Sequence, residues 1–232
     1  MKILASDFDK TLFTSDYKKN ILKINEFVDK GNIFIIATGR NITHLKEDIN
    51  GHNIKYEYLI CNDGAIIFDK DHNVVYRKDI DPEIVKPIFD ILSKDKNIMF
   101  ATIDDSVNYV NNTEMPANAI LGRPFDIDEA ENVLSEILNK YPSVNGYTSD
   151  NWVNITDSMT SKGNAVKIIQ EMLNIEKEDV YTVGDNINDI SMNEIYNGYA
   201  MEDGHPELIR ISKGTTTSVS NLIDLIYEND NN

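Results

Sequence analysis

The first half of the chain alternates short apolar runs with segments of helical periodicity, and this order restricts the fold more than any other feature of the sequence. The runs "KILA" and "NIFIIAT" and the start of "YEYLICNDGAIIF" have the composition of buried strands. Between the first two runs, Ile21, Ile24 and Val28 recur at helical spacing, and Gly31 follows where a helix-terminating glycine belongs. Strands that alternate with helices are typical of a parallel sheet covered by helices. We therefore predict an α/β fold with a doubly wound, Rossmann-like core.

The rhythm changes between residues 80 and 157. A helix beginning near Pro82 precedes the strands "NIMFATI" and "SVNYVN", and after a loop that reaches Pro124 a second helix precedes the strands "SVNGYTS" and "NWVNITD". This αββαββ order predicts a small α+β module. The α/β rhythm then resumes, so we expect a core domain of residues 1–79 and 158–232 and an inserted domain of residues 80–157.

Composition excludes several classes of partner. Asp and Glu outnumber Lys and Arg by 39 to 22, and the net charge of -17 argues against binding of nucleic acid or of an anionic membrane. No apolar run approaches the roughly 20 residues that span a bilayer. Because Cys61 is the single cysteine and "MKILASDFDK" lacks the features of a signal peptide, we expect a cytoplasmic protein. Nothing in the sequence indicates an oligomeric state.

Polar residues follow three of the predicted core strands. They are Asp7-Phe8-Asp9, Thr38-Gly39-Arg40 and Gly184-Asp185-Asn186. In open α/β sheets, ligands bind at the carboxyl ends of the strands. If these strands are neighbours, their ends converge on one crevice, which we take as the candidate site.

Asp7 and Asp9 point to the same side of an extended segment. At about 4 Å, two such charges repel by roughly 4 kcal/mol at an effective dielectric of 20, so either a cation lies between them or one carboxyl keeps its proton. Any one of these aspartates alone could be a solvated acidic turn. A third carboxylate, Asp185, favours the cation, and carboxylate oxygens completed by water and a phosphate are what Mg²⁺ prefers.

Groups suited to an anion accompany these acids. Thr38 and Gly39 offer a hydroxyl and backbone N–H groups at a predicted helix start, and Lys162 lies in the first turn of its helix, where the macrodipole disfavours a cation. Three aspartates, a phosphate, one Mg²⁺ and one lysine still carry a charge of about -2, which favours one protonated aspartate. One carboxylate could then attack phosphorus while the other moves a proton.

These residues resemble the motifs of the haloacid dehalogenase superfamily. "DFDKTL" is similar to its motif DxDxT, "IIATGR" to its second motif, Lys162 in "TSKGNAV" to its third, and "GDNINDISM" to its fourth motif, GDxxxD. The inserted module resembles the type IIB cap of Cof-type phosphatases. "NDGA" and "AMEDGHPELI" resemble two further segments of that branch.

The resemblance implies a Mg²⁺-dependent phosphohydrolase that forms an aspartyl-phosphate on a small phosphorylated substrate. Asp7 would be the nucleophile and a metal ligand, and Asp9 the general acid and base that also binds Mg²⁺ through its carbonyl. The metal would be completed by Asp185 and, directly or through water, by Asn186. The phosphate would be held by the Phe8 backbone, Thr38, Gly39, Lys162 and Asn188, while Asp189 would orient Lys162 and Thr11 would support the turn after Asp9.

The chain departs from the family pattern at three places. Lys10 replaces the usual glycine, Asp63 replaces the asparagine of the NGA segment, and Glu202-Asp203 replace Gly-Asn. None of these changes removes a catalytic atom.

Several other residues are given structural roles. The scattered histidines, His44, His52, His72 and His205, are interpreted as surface or capping residues, and Cys61 as a small buried hydrophobe. Tyr109, Tyr147 and Trp152 lie on strands of the inserted module, where packing or contact with a leaving group are both possible.

Two other functions stay open. A phosphomutase would return the phosphoryl group to a hexose phosphate, and a phosphate-sensing protein would be switched by phosphorylation of Asp7. The substrate is not readable from the sequence; candidate contacts of the inserted module are the 111–124 loop and the turns at residues 104–105 and 149–150.

Overall fold

A computed structural model describes residues 1–149 and 152–230, whose strands form two sheets. The larger, which we call the core sheet, has the order β13-β12-β11-β1-β2-β3-β4-β5 and is parallel from β13 to β3. Its strands are β1 (Ile3–Asp7), β2 (Ile33–Ala37), β3 (Tyr58–Cys61), β4 (Ile66–Asp69), β5 (Val74–Arg77), β11 (Val180–Gly184), β12 (Asn197–Met201) and β13 (Gly214–Thr216). The predicted α/β class is confirmed.

Helices cover both faces of the core sheet. Alternate residues of one strand enter different cores: Leu4 packs with the helix residues Ile24 and Phe27, whereas Ala5 packs with Val166. The helices are α1 (Tyr17–Asp29), α2 (Ile42–Ile49), α5 (Lys162–Leu173), α6 (Ile190–Ile195), α7 (Pro206–Ile211) and α8 (Val219–Asp230). Because β11, β1 and β2 are neighbours, the three polar strand ends meet at one edge, as the sequence predicts.

The second sheet lies within residues 98–157. It has the order β7-β6-β8-β10-β9 and consists of β6 (Ile98–Asp104), β7 (Tyr109–Val110), β8 (Ala119–Pro124), β9 (Val144–Ser149) and β10 (Trp152–Asp157). The helices α3 (Pro82–Lys94) and α4 (Ile127–Lys140) pack on one face through an apolar core that includes Leu92, Ile137 and Ile155.

The loop predicted up to Pro124 is wrong. It contains β8, which pairs antiparallel with both β6 and β10 and lies in the middle of the second sheet. The predicted strand "SVNYVN" contributes only the two residues of β7. Asp150 and Asn151 lie outside the described residues, so the predicted turn at residues 149–150 is seen only to Ser149 and the last strand only from Trp152.

Alternation along the antiparallel strands gives the second sheet a polar and aromatic face. In β10, Val153 and Ile155 enter the helix-covered core, so Trp152 and Asn154 face the other way. In β9, Val144 enters the same core, and the odd-numbered residue Tyr147 lies on the opposite face. This face lies over the polar edge of the core sheet.

Within the described residues, no helix has the length and apolarity needed to cross a bilayer.

Candidate active site

A buried lysine joins two carboxylates at the end of β1. Lys162 is fully buried, and its Nζ donates to Asp7 Oδ1 at 2.6 Å and to Asp189 Oδ1 at 2.7 Å. Burial alone would lower the pKa of Lys162, but Asp189 and Asp7 outweigh it and raise the pKa of this lysine. Lys162 therefore remains a cation and ties the nucleophile candidate to the loop after β11.

Asp7 is an acid in an unfavourable setting. Burial raises the pKa of the Asp7 carboxyl well above its usual range; Lys162 opposes this shift, and Asp189 and Asp185 add to it. Burial also raises the pKa of Asp185, with Asp189 contributing in the same direction. Both shifts arise first from burial and then from repulsion between the acids, and a cation between these groups would oppose both.

The acidic cluster fits a hard divalent cation. Ligand atoms of Asp7, Asp185 and Asp189 lie within 4.8 Å of one another. Asp189, however, is already engaged: one oxygen accepts from Lys162, and the other accepts from the backbone N–H groups of Asp185 and Asn186, each at 3.0 Å. Asp7 and Asp185 are thus the carboxylates available to a metal ion, and two carboxylates completed by other oxygens are a set that a hard divalent cation accepts.

Two neighbours shape the Asp185 end of the cluster. Thr11 Oγ1 donates to Asp185 Oδ1 at 3.2 Å, so this predicted supporting residue contacts a metal-ligand candidate. Gly184 permits close packing of the loop, because a Cβ at this position would lie 2.3 Å from the Asp189 carboxyl carbon.

Asp9 has a different environment from Asp7, although both line the same cleft. Its carboxylate accepts two hydrogen bonds from Arg40, Nε at 2.8 Å and Nη2 at 2.6 Å, and about half of its side chain is exposed. Arg40 also pairs with Asp48 and lies over the Phe8 ring. Within the described residues, Arg40 is the cation bonded to Asp9, a role that the sequence reading did not give it.

The unusual Lys10 occupies a backbone conformation that favours glycine. Its φ is +60°, in the left-handed region. A side chain in this region costs about 1 kcal/mol, which gives a physical reason for the glycine usual in this motif. The strand end turns here, since the N–H of Phe13 donates to Phe8 O at 2.7 Å.

The loop after β2 differs slightly from the prediction. The helix predicted over Ile42–Ile49 is confirmed with these bounds as α2, but its N-cap is Asn41, whose side chain accepts from His44 N, so Thr38 and Gly39 lie before the helix start and not at it. Thr38 is fully buried, and its hydroxyl accepts from the N–H of Arg40 at 3.1 Å. Thr38 and Gly39 therefore form a separate turn at the cleft rather than the first turn of the helix.

The two asparagines of the loop after β11 point to different partners. Asn186 donates to Ser149 Oγ of the second sheet at 3.2 Å, and its Oδ1 accepts from Ile187 N at 2.8 Å. Asn188 donates to Asp63 Oδ1 at 2.8 Å and to the Tyr147 hydroxyl oxygen at 3.2 Å. Both asparagines thus contact the second sheet from the polar edge of the core sheet.

A cleft of about 330 Å³ lies between the two sheets. Its core side is formed by Asp7, Asp9, Lys10, Thr38, Gly39, Arg40, Asp185, Asn186 and Asn188. Its other side is formed by Tyr109, Leu121, Tyr147, Ser149, Trp152 and Asn154. Of the predicted contacts of the inserted module, Ser149 and one residue of the 111–124 segment, Leu121, reach the cleft, whereas Asp104 bonds instead to Asn41 Nδ2 at 3.1 Å.

The secondary interpretations have mixed outcomes. Cys61 is fully buried, as predicted, and His205 is the N-cap of α7. Packing does not describe Tyr147, whose hydroxyl donates to Asp63 Oδ2 at 2.7 Å across the gap between the sheets. The period-2 alternation of β9 was the sequence signal that could have identified this face.

The class of the protein follows from its architecture. A parallel sheet carries buried acids and a lysine at its carboxyl edge, and an inserted α+β module lies over that edge. The family model of haloacid dehalogenase-like hydrolases matches residues 4–125 and 111–224. The chain therefore belongs to the haloacid dehalogenase-like hydrolases, and the recognition made from the four motifs is confirmed.

Relatives and solved structures agree with this assignment. The chain is 32% identical to an uncharacterised protein of Mycoplasma capricolum, covering 98% of each, and 28% identical to the 5-amino-6-(5-phospho-D-ribitylamino)uracil phosphatase YcsE of Bacillus subtilis, covering 83% of this chain and 80% of that protein. Its fold matches the subclass IIB sugar phosphatase BT4131 with a TM-score of 0.81 at 21% identity, covering 98% of each chain.

Proposed function

We propose that this chain is a Mg²⁺-dependent phosphatase that hydrolyses a small phosphomonoester, a sugar phosphate or similar metabolite, through a phosphorylated Asp7. The observation that carries the proposal is the pair of unlike aspartates in one cleft. Asp7 is buried against Lys162 and Asp185, whereas Asp9 is half-exposed and bonded to Arg40. One acid is built to be held in place, and the other is accessible for proton transfer.

We infer a task for each Asp7 oxygen from its contacts. Oδ1 accepts from Lys162, so Oδ2 is the oxygen that attacks phosphorus. As the Asp7–phosphorus bond forms, the bond to the leaving oxygen breaks and Asp9 gives that oxygen a proton. Asp9 then takes a proton from a water that attacks phosphorus, and the Asp7–phosphorus bond breaks to release inorganic phosphate.

The remaining residues neutralise charge. Mg²⁺, held by Asp7, Asp185 and the Asp9 carbonyl with Asn186 directly or through water, would stabilise negative charge on the phosphoryl oxygens. Lys162, Thr38, the Phe8 and Gly39 backbones and Asn188 would donate to the same oxygens. Asp189 holds the Lys162 ammonium from its far side, which prevents the lysine from moving away from the phosphate.

We further propose residues 80–157 as a cap and residues 1–79 and 158–232 as the catalytic core. The cap side of the cleft carries the aromatic side chains Tyr109 and Trp152 and the amide Asn154. Such a surface suits a hydroxylated leaving group with an apolar face. The named substrates of YcsE and BT4131, a ribityl phosphate and sugar phosphates, have this character, which supports the same class here.

The direct test is phosphate release from a panel of sugar, nucleotide and cofactor phosphates with and without Mg²⁺. We expect turnover that EDTA abolishes and that Asp7→Asn lowers by at least about 10⁴-fold. Asp71→Asn is the matched control, because the β4–β5 turn lies at the opposite edge of the core sheet. Turnover retained in Asp7→Asn would exclude the proposal, and an isomerised sugar in place of free phosphate would indicate a mutase.

A further inference from the structure

Asp63, at which the chain departs from the family pattern, lies behind the cleft and contacts the cleft residues Gly39, Tyr147 and Asn188. Asn62, Asp63 and Gly64 all have positive φ, and the N–H of Asp63 donates to Thr38 O at 3.0 Å. Gly64 packs tightly at the start of α5, where a Cβ would lie 2.3 Å from Ser161 O. The turn is therefore fixed on both sides, and the buried Asp63 carboxylate is held beside Gly39.

Asp63 is bonded to donors from both parts of the molecule. Its Oδ2 accepts from the Tyr147 hydroxyl of β9 at 2.7 Å, and its Oδ1 accepts from Asn188 Nδ2 at 2.8 Å. The same Asn188 nitrogen also donates to the Tyr147 oxygen at 3.2 Å. A Cβ on Gly39 would lie 3.2 Å from both Asp63 oxygens and 3.4 Å from the Tyr147 oxygen, so this triangle stands directly over the proposed phosphate loop.

A carboxylate in this place competes with phosphate for the same donors. An ionised carboxylate only accepts hydrogen bonds, and the Asn188 amide nitrogen already donates to two acceptors of the triangle, Asp63 Oδ1 and the Tyr147 oxygen. Burial and the charge of Asp63 raise the pKa of Tyr147 well above its usual value, which keeps the tyrosine protonated as a donor. An asparagine at residue 63 would keep the shape of the triangle but remove its negative charge.

We propose that Asp63 sets the affinity of the site for phosphate: its carboxylate competes with phosphate for Asn188, and the Tyr147 hydroxyl stabilises that carboxylate by donating to it. The proposal rests on the proposed function, in which Asn188 donates to phosphate. The same contact couples the cap to the product. Phosphate takes the Asn188 donor away from Asp63 while it is bound, and its release restores the hydrogen bonds among Asp63, Asn188 and Tyr147 of β9.

The test is calorimetric titration of inorganic phosphate, in the presence of Mg²⁺, into the unmodified protein and four variants. Asp63→Asn is expected to bind phosphate at least fivefold more tightly, because the competing charge is lost while the left-handed backbone suits asparagine. Tyr147→Phe is expected to bind it more weakly, because the Asp63 charge loses its donor. When Asp63→Asn and Tyr147→Phe are combined, the loss of the tyrosine hydroxyl should no longer weaken phosphate binding, because residue 63 then carries no charge. Asp71→Asn should bind phosphate as the unmodified protein does.

The outcomes separate this inference from the function itself. If Asp63→Asn binds phosphate no more tightly than the unmodified protein, the contact is merely structural and the proposal is overturned. Absence of any phosphate binding by the unmodified protein would also overturn it. Absence of turnover on every phosphomonoester, with the opposite shifts still present, would overturn the phosphatase proposal and leave the role of Asp63 standing. Inhibition of turnover by phosphate should follow the same order as the calorimetric affinities.

Discussion

The two sides of the cleft are built in different ways. On the core side, Asp7 and its polar neighbours follow the ends of parallel strands, Lys162 opens the helix beside them, and backbone turns and buried ion pairs fix their positions. On the cap side, the groups are alternate side chains on one face of an antiparallel sheet, such as Trp152 and Asn154. The first construction holds atoms rigidly for chemistry, whereas the second allows side chains to be exchanged without disturbing the fold.

The two sides also differ in charge. The core side concentrates buried acids around one lysine, so removal of a single charge leaves others uncompensated. The cap side of the cleft is formed by neutral aromatic, amide and hydroxyl groups. Substitutions on the core side should therefore affect both catalysis and folding, and those on the cap side mainly the choice of substrate.

The largest combined effect is expected for Lys162→Met. The change leaves the buried Asp7 and Asp189 without their cation, so we expect a loss of about 3–5 kcal/mol in the free energy of unfolding and on the order of 10³-fold in kcat. Lys167→Met, on the exposed side of the same helix, is the matched control. Urea denaturation and steady-state kinetics measure the two effects, and a stable, active Lys162→Met protein would refute the core-side account.

An effect on the rate without a large loss of stability is expected for Asp9→Asn, and its size should depend on the leaving group. If Asp9 protonates the leaving oxygen, its loss should lower the rate of Asp7 phosphorylation in a single turnover by about 10²–10⁴-fold for an alkyl phosphate and far less for p-nitrophenyl phosphate, whose leaving group needs no proton. The ratio of the two rates, compared between the variant and the unmodified protein, is the measurement. An equal loss on both substrates would assign Asp9 a role other than acid catalysis.

On the cap side, Trp152→Leu should act on KM and not on chemistry. The Trp152 ring packs edge-on against Phe100 and borders the cleft, so its loss should raise KM for the preferred substrate up to about tenfold. The value of kcat for a small substrate such as acetyl phosphate should remain within about twofold. A large fall in kcat on both substrates would contradict the division of labour between the two sides.

The smallest effect concerns the contact between the two parts at Asp104. Burial raises the pKa of the Asp104 carboxyl, so the folded state binds this proton more tightly than the unfolded state. The stabilising contribution is present at low pH and is lost as the pH rises through the pKa of the folded state. The free energy of unfolding, measured against pH, should fall more steeply for the unmodified protein than for Asp104→Asn as the pH rises through this range. The same pH dependence in both proteins would exclude the effect.

The core side could be predicted from sequence because its residues stand at the ends of strands and at the start of a helix, which short sequence patterns reveal. The acids and Thr38 stand at strand ends, and Lys162 opens a helix with clear periodicity, so the order of strands and helices brings them to one edge. The family motifs then supplied a role for each residue. Lys162 is the first residue of α5, in agreement with its predicted place in the first turn of a helix.

The cap side depended on contacts that the sequence does not display. The strand β8 was missed because "AILGRP" contains Gly122 and Pro124, which are typical of loops. Asp63 and Tyr147 are 84 residues apart, and their hydrogen bond exists only because the second sheet is placed over the core sheet. The bond between Arg40 and Asp9 likewise joins two separate strand ends.

The central claim, attack by Asp7 on phosphorus, is tested most directly by rapid quenching of a single turnover followed by peptide mass spectrometry. We predict a phosphoryl group that forms on the peptide containing Asp7 and decays at the rate at which free phosphate appears, with retention of configuration at phosphorus in a chiral substrate. Hydrolysis with no phosphorylated peptide and with inversion of configuration would show direct attack by water and contradict the account.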